Sequence, residues 1–132
     1  MVSFGGYLVG DRGRRVQLPV LVDSVWVEVE RALLKFQGGV GVACIRTDPR
    51  PEVGPYELVL YADSGNYLLM LNEYASDGEH EVRSPQNSSA SGLMLMLGEY
   101  YPAASVVRDF GLVKECFFQF HSTATVSSDL LS

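Results

Sequence analysis

A chain of 132 residues, 47% apolar and 20% charged, is long enough to bury one core and short for two, so a single domain over residues 1–132 is expected. A formal charge of −6 argues against a nucleic-acid binder, because neutralising phosphates takes a concentrated basic surface. A charged partner should therefore be basic, although the same acidity also serves plain solubility.

Residues 4–9 form a β-prone run that ends at Gly10, Asp11, Arg12 and Gly13, and residues 14–22 resume it as the second arm of a hairpin. Pro19 cannot donate to a ladder and belongs at a strand edge or on the way to the next element. From Asp23 the period changes: Val25, Trp26, Val29, Ala32, Leu33 and Phe36 recur at helical spacing, with Asp23 or Ser24 as the N-cap and Gly38-Gly39 as the stop. Trp26 lies on the apolar stripe and reads as core. Val40–Thr47 reads as a strand, followed by a proline-rich loop over 48–55. Runs 56–62 and 67–74 flank Asp63, Ser64, Gly65 and Asn66, four residues suited to a tight reversal, and the unbroken apolar stretch 68–71 suggests a central strand. A turn at Asp77-Gly78 leads to a more polar strand over 79–84. The serine-rich stretch 85–92 reads as a mobile loop and 93–97 as the last strand. Phe110, Val113, Phe117 and Phe120 then mark a second helix, with Asp109 as its N-cap.

Strands dominate, with one helix early and one late. The expected fold is α+β: a largely antiparallel, twisted β-sheet with two amphipathic helices packed on one face, in an order the sequence does not specify.

Residues 1–6 carry no basic patch ahead of a long apolar run, and no later segment reaches the roughly 20 apolar residues of a membrane span. The expectation is a cytoplasmic protein without a membrane association. Cys44 and Cys116 sit in apolar segments and read as buried thiols.

The sequence carries no recognisable catalytic set, cofactor motif or metal site. His80 lies between Glu79 and Glu81 on a strand, where alternation sends it to the opposite face from both. His121 ends the second helix, where it would meet that helix's terminal carbonyls; five residues from Cys116, it is out of reach as a base for a thiol nucleophile. The glycine-rich turns lack the lysine and hydroxyl residue of a phosphate loop. The chain is accordingly expected not to be an enzyme; a site assembled only in three dimensions is the alternative.

Between Pro51 and Val82 there is neither lysine nor arginine, while Glu52, Glu57, Asp63, Glu73, Asp77, Glu79 and Glu81 cluster there. Tyr56, Tyr61, Tyr67 and Tyr74 share the stretch, and tyrosine suits recognition surfaces because it joins apolar area to a hydroxyl. Either these residues form one surface for a basic protein, or the carboxylates are spread over turns while the tyrosines complete the core.

Gly5-Gly6-Tyr7, the early helix with Trp26, Gly65-Asn66-Tyr67 leading into an apolar strand, and a closing helix over 113–120 followed by residues 126–131 together resemble, in order and size, the small bacterial immunity proteins of contact-dependent growth inhibition systems. The resemblance implies a cytoplasmic antidote that binds a cognate toxin domain, commonly a nuclease, and covers its positively charged site. The resemblance supplies no contact positions; the local charge alone suggests Glu52, Glu57, Asp63, Glu73, Asp77 and Glu79 as the charged contacts, with Tyr56, Tyr61 and Tyr74 as candidate anchors. The competing reading is a protein-interaction or scaffold domain of another bacterial assembly. The sequence specifies neither the toxin nor the oligomeric state.

Overall fold

The computed structural model describes residues 1–87 and 89–132. In chain order the strands and helices are β1 (Val2–Val9), β2 (Arg15–Gln17), β3 (Leu21–Val22), α1 (Trp26–Leu33), β4 (Val40–Thr47), β5 (Gly54–Asp63), β6 (Asn66–Tyr74), β7 (His80–Arg83), β8 (Leu93–Met96), β9 (Glu99–Pro102), β10 (Val106–Val107) and α2 (Phe110–Thr123). The fold is the expected α+β arrangement, a mostly antiparallel eight-stranded sheet with two helices.

The sheet grows outward from the hairpin read at 63–66. Ser64 and Gly65 both take positive φ, 51° and 94°, the left-handed pair that a two-residue reversal between twisted strands demands. That turn sets the β5–β6 register from Asp63↔Asn66 to Leu58↔Leu71. β4 and then β1 add antiparallel on the far side of β5, giving the order β10-β6-β5-β4-β1-β2. β2 and β3 share the outer edge of β1, separated by the segment that holds Pro19, and β7 and β10 share the outer edge of β6. The apolar run of β6 is thus flanked on both sides, as its composition suggested. β1 and β4 approach so closely that a Cβ on Gly6 or Gly41 would strike the facing backbone, at Val42 and Tyr7 respectively.

Period-2 alternation divides the sheet into two faces. Phe4, Ile45, Leu58, Leu60, Leu69 and Leu71 point to one side, where Val29 and Leu33 of α1 and Val113, Cys116, Phe117 and Phe120 of α2 complete a single core. Phe4 and Phe117 meet edge-to-face at 6.0 Å. Trp26 packs on the rim of this core, 5.3 Å from Phe118. The free thiol of Cys116 is fully buried within it, and burial pushes that group up to about 12.

Several local expectations are corrected. The expected cap of the first helix is absent from its place: Val25 occupies the cap position without a side-chain bond, while Asp23, at φ 50°, turns its carboxylate back to accept from the Val2 amide at 2.8 Å. That bond fastens the start of β1, a better use of the carboxylate than capping a helix of eight residues. The last turn of the pattern, Leu34–Phe36, is a 3-10 helix. Asp109 caps α2 through the Gly111 amide at 2.8 Å, as read. His121 bonds the carbonyl of Ser24 at 2.8 Å, so it joins the second helix to the approach of the first and leaves its own helix's carbonyls alone. The run at 93–97 does not join the main sheet. As β8 it pairs with β9 in a separate ribbon that lays Met94, Met96 and Tyr101 over Leu68 and Val106. Of the stretch read as a mobile loop, 85–92, Ser88 lies outside the described residues; Asn87 and Gly92 on either side bond the backbones of Ala104 and Ala103. No described helix is long and apolar enough to cross a membrane.

Candidate protein-binding face

The side of the sheet away from the helices remains accessible over β1 and β4. Tyr7, Val42 and Cys44 are half-buried there and Arg46 is exposed. A shallow depression of about 490 Å³ runs across them, with Gly5 and Gly6 in its floor and Val20 on its rim. The β8–β9 ribbon bounds the same face at its β5–β6 side, where Tyr61 and Tyr101 stack at 6.1 Å.

Glu57 sits at the centre. A β-bulge at Tyr56 shifts the register between Pro55 and Glu57, which brings both Tyr56 and Glu57 onto this face. The Glu57 carboxylate accepts from Asn72 Nδ2 at 2.9 Å, takes the Cys44 thiol at 3.6 Å, and has Arg46 Nη2 3.8 Å away. Its side chain retains 19% exposure and is held by these three neighbours. Burial, together with the nearby carboxylate, raises the Cys44 thiol to about 11, so it is a packed thiol and a poor nucleophile at neutral pH.

Beyond the bulge lies an aromatic cluster. Tyr56 and Tyr74 stack at 5.1 Å, His80 packs against both, and Tyr56 Oη bonds His80 Nε2 at 2.9 Å. Arg50 lies over the Tyr56 ring at 4.3 Å and donates to Tyr74 Oη at 3.2 Å. On the β1 side Arg15 covers Tyr7 in the same manner, at 4.4 Å. Burial raises the hydroxyls of Tyr56, Tyr61 and Tyr101, which keeps them neutral donors.

The nine residues picked out from charge and aromatic content are therefore sorted by the fold. Tyr56, Glu57, Tyr61 and Tyr74 share the accessible face. Asp63 borders it, but one of its oxygens is used to accept from the Leu97 amide at 3.1 Å and fasten the ribbon. Glu52, in the loop before β5, and Asp77 and Glu79, in the β6–β7 turn, are exposed at the end of the sheet where Gly54 pairs with Tyr74. Asp77 also accepts from the Glu79 amide at 3.0 Å. Glu73 points to the helix side, 2.9 Å from Arg83 Nε, whose Nη1 reaches the Leu131 carbonyl at 3.3 Å. The Nε contact is off the hydrogen-bond line, so the attraction between Glu73 and Arg83 is that of two charges. The face is also less negative than the sequence segment implied, because Arg15, Arg46 and Arg50 come to it from outside residues 51–82.

Arg46, Asn72, Cys44, His80 and Arg50 were not picked out from the sequence. Cross-strand register places Arg46 opposite Glu57 and His80 opposite Tyr74, but register cannot be read before the strands are aligned. Among the described residues no group of three or more His, Cys, Asp or Glu side chains could hold a metal ion.

No curated protein matches this chain. A crystal structure of a hypothetical protein from Neisseria gonorrhoeae is similar to it, with 28% identity and a TM-score of 0.86 over 96% of this chain and 90% of that one. A family model described as a family of unknown function matches residues 1–130. On that match the chain belongs to this family, DUF6911.

Proposed function

We propose that this chain is a cytoplasmic, non-enzymatic binding protein whose accessible sheet face covers a toxin domain, in the manner of an immunity protein. One observation carries the binding role: the helices cover one face of the sheet, while the other presents half-buried tyrosines around a fixed carboxylate, Glu57. Side chains held on strands lose little freedom on association, and tyrosines with a polar rim are the composition of interface anchors. Glu52, Asp77 and Glu79 at one end add a field that steers a basic partner. The toxin as partner rests on the resemblance of the sequence to immunity proteins in the order and size of its features.

The test is co-purification with a toxin domain encoded beside the gene, together with protection of cells that express it. Glu57→Lys should abolish both while leaving the fold intact. Retention of both by Glu57→Lys would remove this face from the interface, and turnover of a small substrate by the purified chain would end the non-enzymatic reading.

A second reading has its own observation. Leu93, Leu95 and Tyr100 project from the outer side of the ribbon with 68%, 54% and 70% exposure, a strip suited to an assembly contact. A partner whose binding responds to Leu95→Lys and ignores Glu57→Lys would favour a scaffold domain.

A further inference from the structure

Arg50 lies against an aromatic cluster, or cage, that the fold holds together by other means. The Tyr56 and Tyr74 rings are stacked at 20° to one another, His80 packs against both at 5.8 and 5.6 Å, and the Tyr56–His80 bond locks the group. Tyr56 is 8% exposed, and all three residues lie on paired strands or at the bulge. Arg50, by contrast, arrives from the loop between β4 and β5 and is itself exposed. Its hold on the cage is one bond to a phenol and a cation–π contact; among the described residues its guanidinium forms no ion pair.

We infer that this cage is a guanidinium-binding site, and that Arg50 is its resident occupant, displaced when an arginine of a partner protein docks. The occupant already there shows the chemistry the cage accepts. A guanidinium lies over the Tyr56 ring and spends an N–H on the Tyr74 oxygen, a pairing that a compact ammonium does not reproduce. Charge complementarity points the same way. Glu52, Asp77, Glu79 and Glu81 are exposed at this end of the sheet, and the segment from residue 51 to residue 82 contributes no lysine or arginine to offset them. A partner's arginine would thus gain the ring contact and the surrounding field together, while Arg50 leaves for water at little cost.

This inference rests on the protein-binding reading for the molecule that carries the arginine, but the cage itself is testable without that molecule. The probe is N-acetylarginine methylamide, titrated into the full chain while the aromatic-ring NMR signals are followed. An exposed cation–π contact is strong enough to keep Arg50 seated for most of the time. Arg50→Ala should therefore bind the probe roughly three- to six-fold more tightly than the natural chain, with shifts confined to Tyr56, Tyr74 and His80. Adding Tyr74→Ala to Arg50→Ala should abolish those shifts. Arg12→Ala, which removes an equal charge from the distant β1–β2 connection, should leave probe binding at the natural level. The lysine analogue should bind Arg50→Ala several-fold more weakly than the arginine probe. Equal binding of the two probes, or Arg50→Ala with no shifts at the three rings, overturns the guanidinium site. Neither result bears on the toxin reading, which is decided by co-purification.

Discussion

The clearest separation between binding and stability falls on two glutamates next to one another in the β5–β6 pairing. Glu57 faces the accessible side, whereas Glu73 faces the helices and meets Arg83 at 2.9 Å, with 18% and 21% of the two side chains exposed. An ion pair this sheltered lies between the surface case, worth up to about 1 kcal/mol, and the fully buried case, where removing one partner costs about 3–5 kcal/mol. We expect a coupling of about 1 kcal/mol, and a total loss of about 2 kcal/mol for Glu73→Ala because Arg83 is left with the Leu131 carbonyl as its acceptor. For a chain of 132 residues each kcal/mol moves Tm by about 3–4 °C, so Glu73→Ala should melt about 6–8 °C lower. Thermal unfolding of Glu73→Ala, Arg83→Ala and the double variant gives the coupling directly, with the lost packing of the Arg83 stem cancelling in the cycle. A coupling indistinguishable from zero would show the pair to be an ordinary surface contact. A loss of partner binding by Glu73→Ala at unchanged Tm would move Glu73 to the interface and refute the division of faces.

Gly41→Ala forces a methyl group into the Tyr7 carbonyl oxygen and the Leu8 backbone, and should destabilise by about 2–4 kcal/mol, read as a lower urea midpoint at unchanged slope. The Cys44 thiol, raised from 9.0 to about 11, should be alkylated slowly at pH 7 and keep gaining rate above pH 9, where an ordinary thiol levels off. Between those values the unfolded chain releases a proton that the folded chain keeps; stability should be fully present below pH 9 and fall as pH rises through 11, a trend that Cys44→Ala should weaken. Asp63→Ala removes the acceptor for the Leu97 amide and should speed hydrogen exchange across residues 93–102 while lowering global stability by about 1 kcal/mol.

What the sequence disclosed were the features governed by near neighbours. Ser64-Gly65 encodes its turn through φ, and Asp109 caps the helix that begins beside it. What it concealed depends on contacts between distant residues. Asp23 has the chemistry of a helix cap, but an amide 21 positions away competes for the same carboxylate and wins. The run at 93–97 has strand character, yet whether it joins the main sheet or folds over it is decided by Leu68 and Val106, which its methionines cover. The site was half visible for the same reason. Tyr56, Glu57, Tyr61 and Tyr74 declare themselves by composition, whereas Glu73 looks identical to Glu57 until register assigns it to the other face.

The use of tyrosine on the accessible face resolves a conflict built into this architecture. A sheet with helices on one side has a second face that must remain wettable while the protein is alone; in the proposed binding role it must also supply binding energy when a partner arrives. Leucine and isoleucine at Tyr7, Tyr61 and Tyr74 would satisfy the second demand and fail the first, because an apolar strip across three strands is a site for self-association. Lysine or glutamate would satisfy the first and fail the second, through side-chain entropy and desolvation. A phenol meets both: its ring stacks on a neighbour, as Tyr61 does on Tyr101 and Tyr56 on Tyr74, and its oxygen can hydrogen-bond, as those of Tyr56, Tyr74 and Tyr101 do. Arg15 over Tyr7 and Arg50 over Tyr56 extend the same logic, since each covers an aromatic surface with the charged end of a long side chain that stays in water.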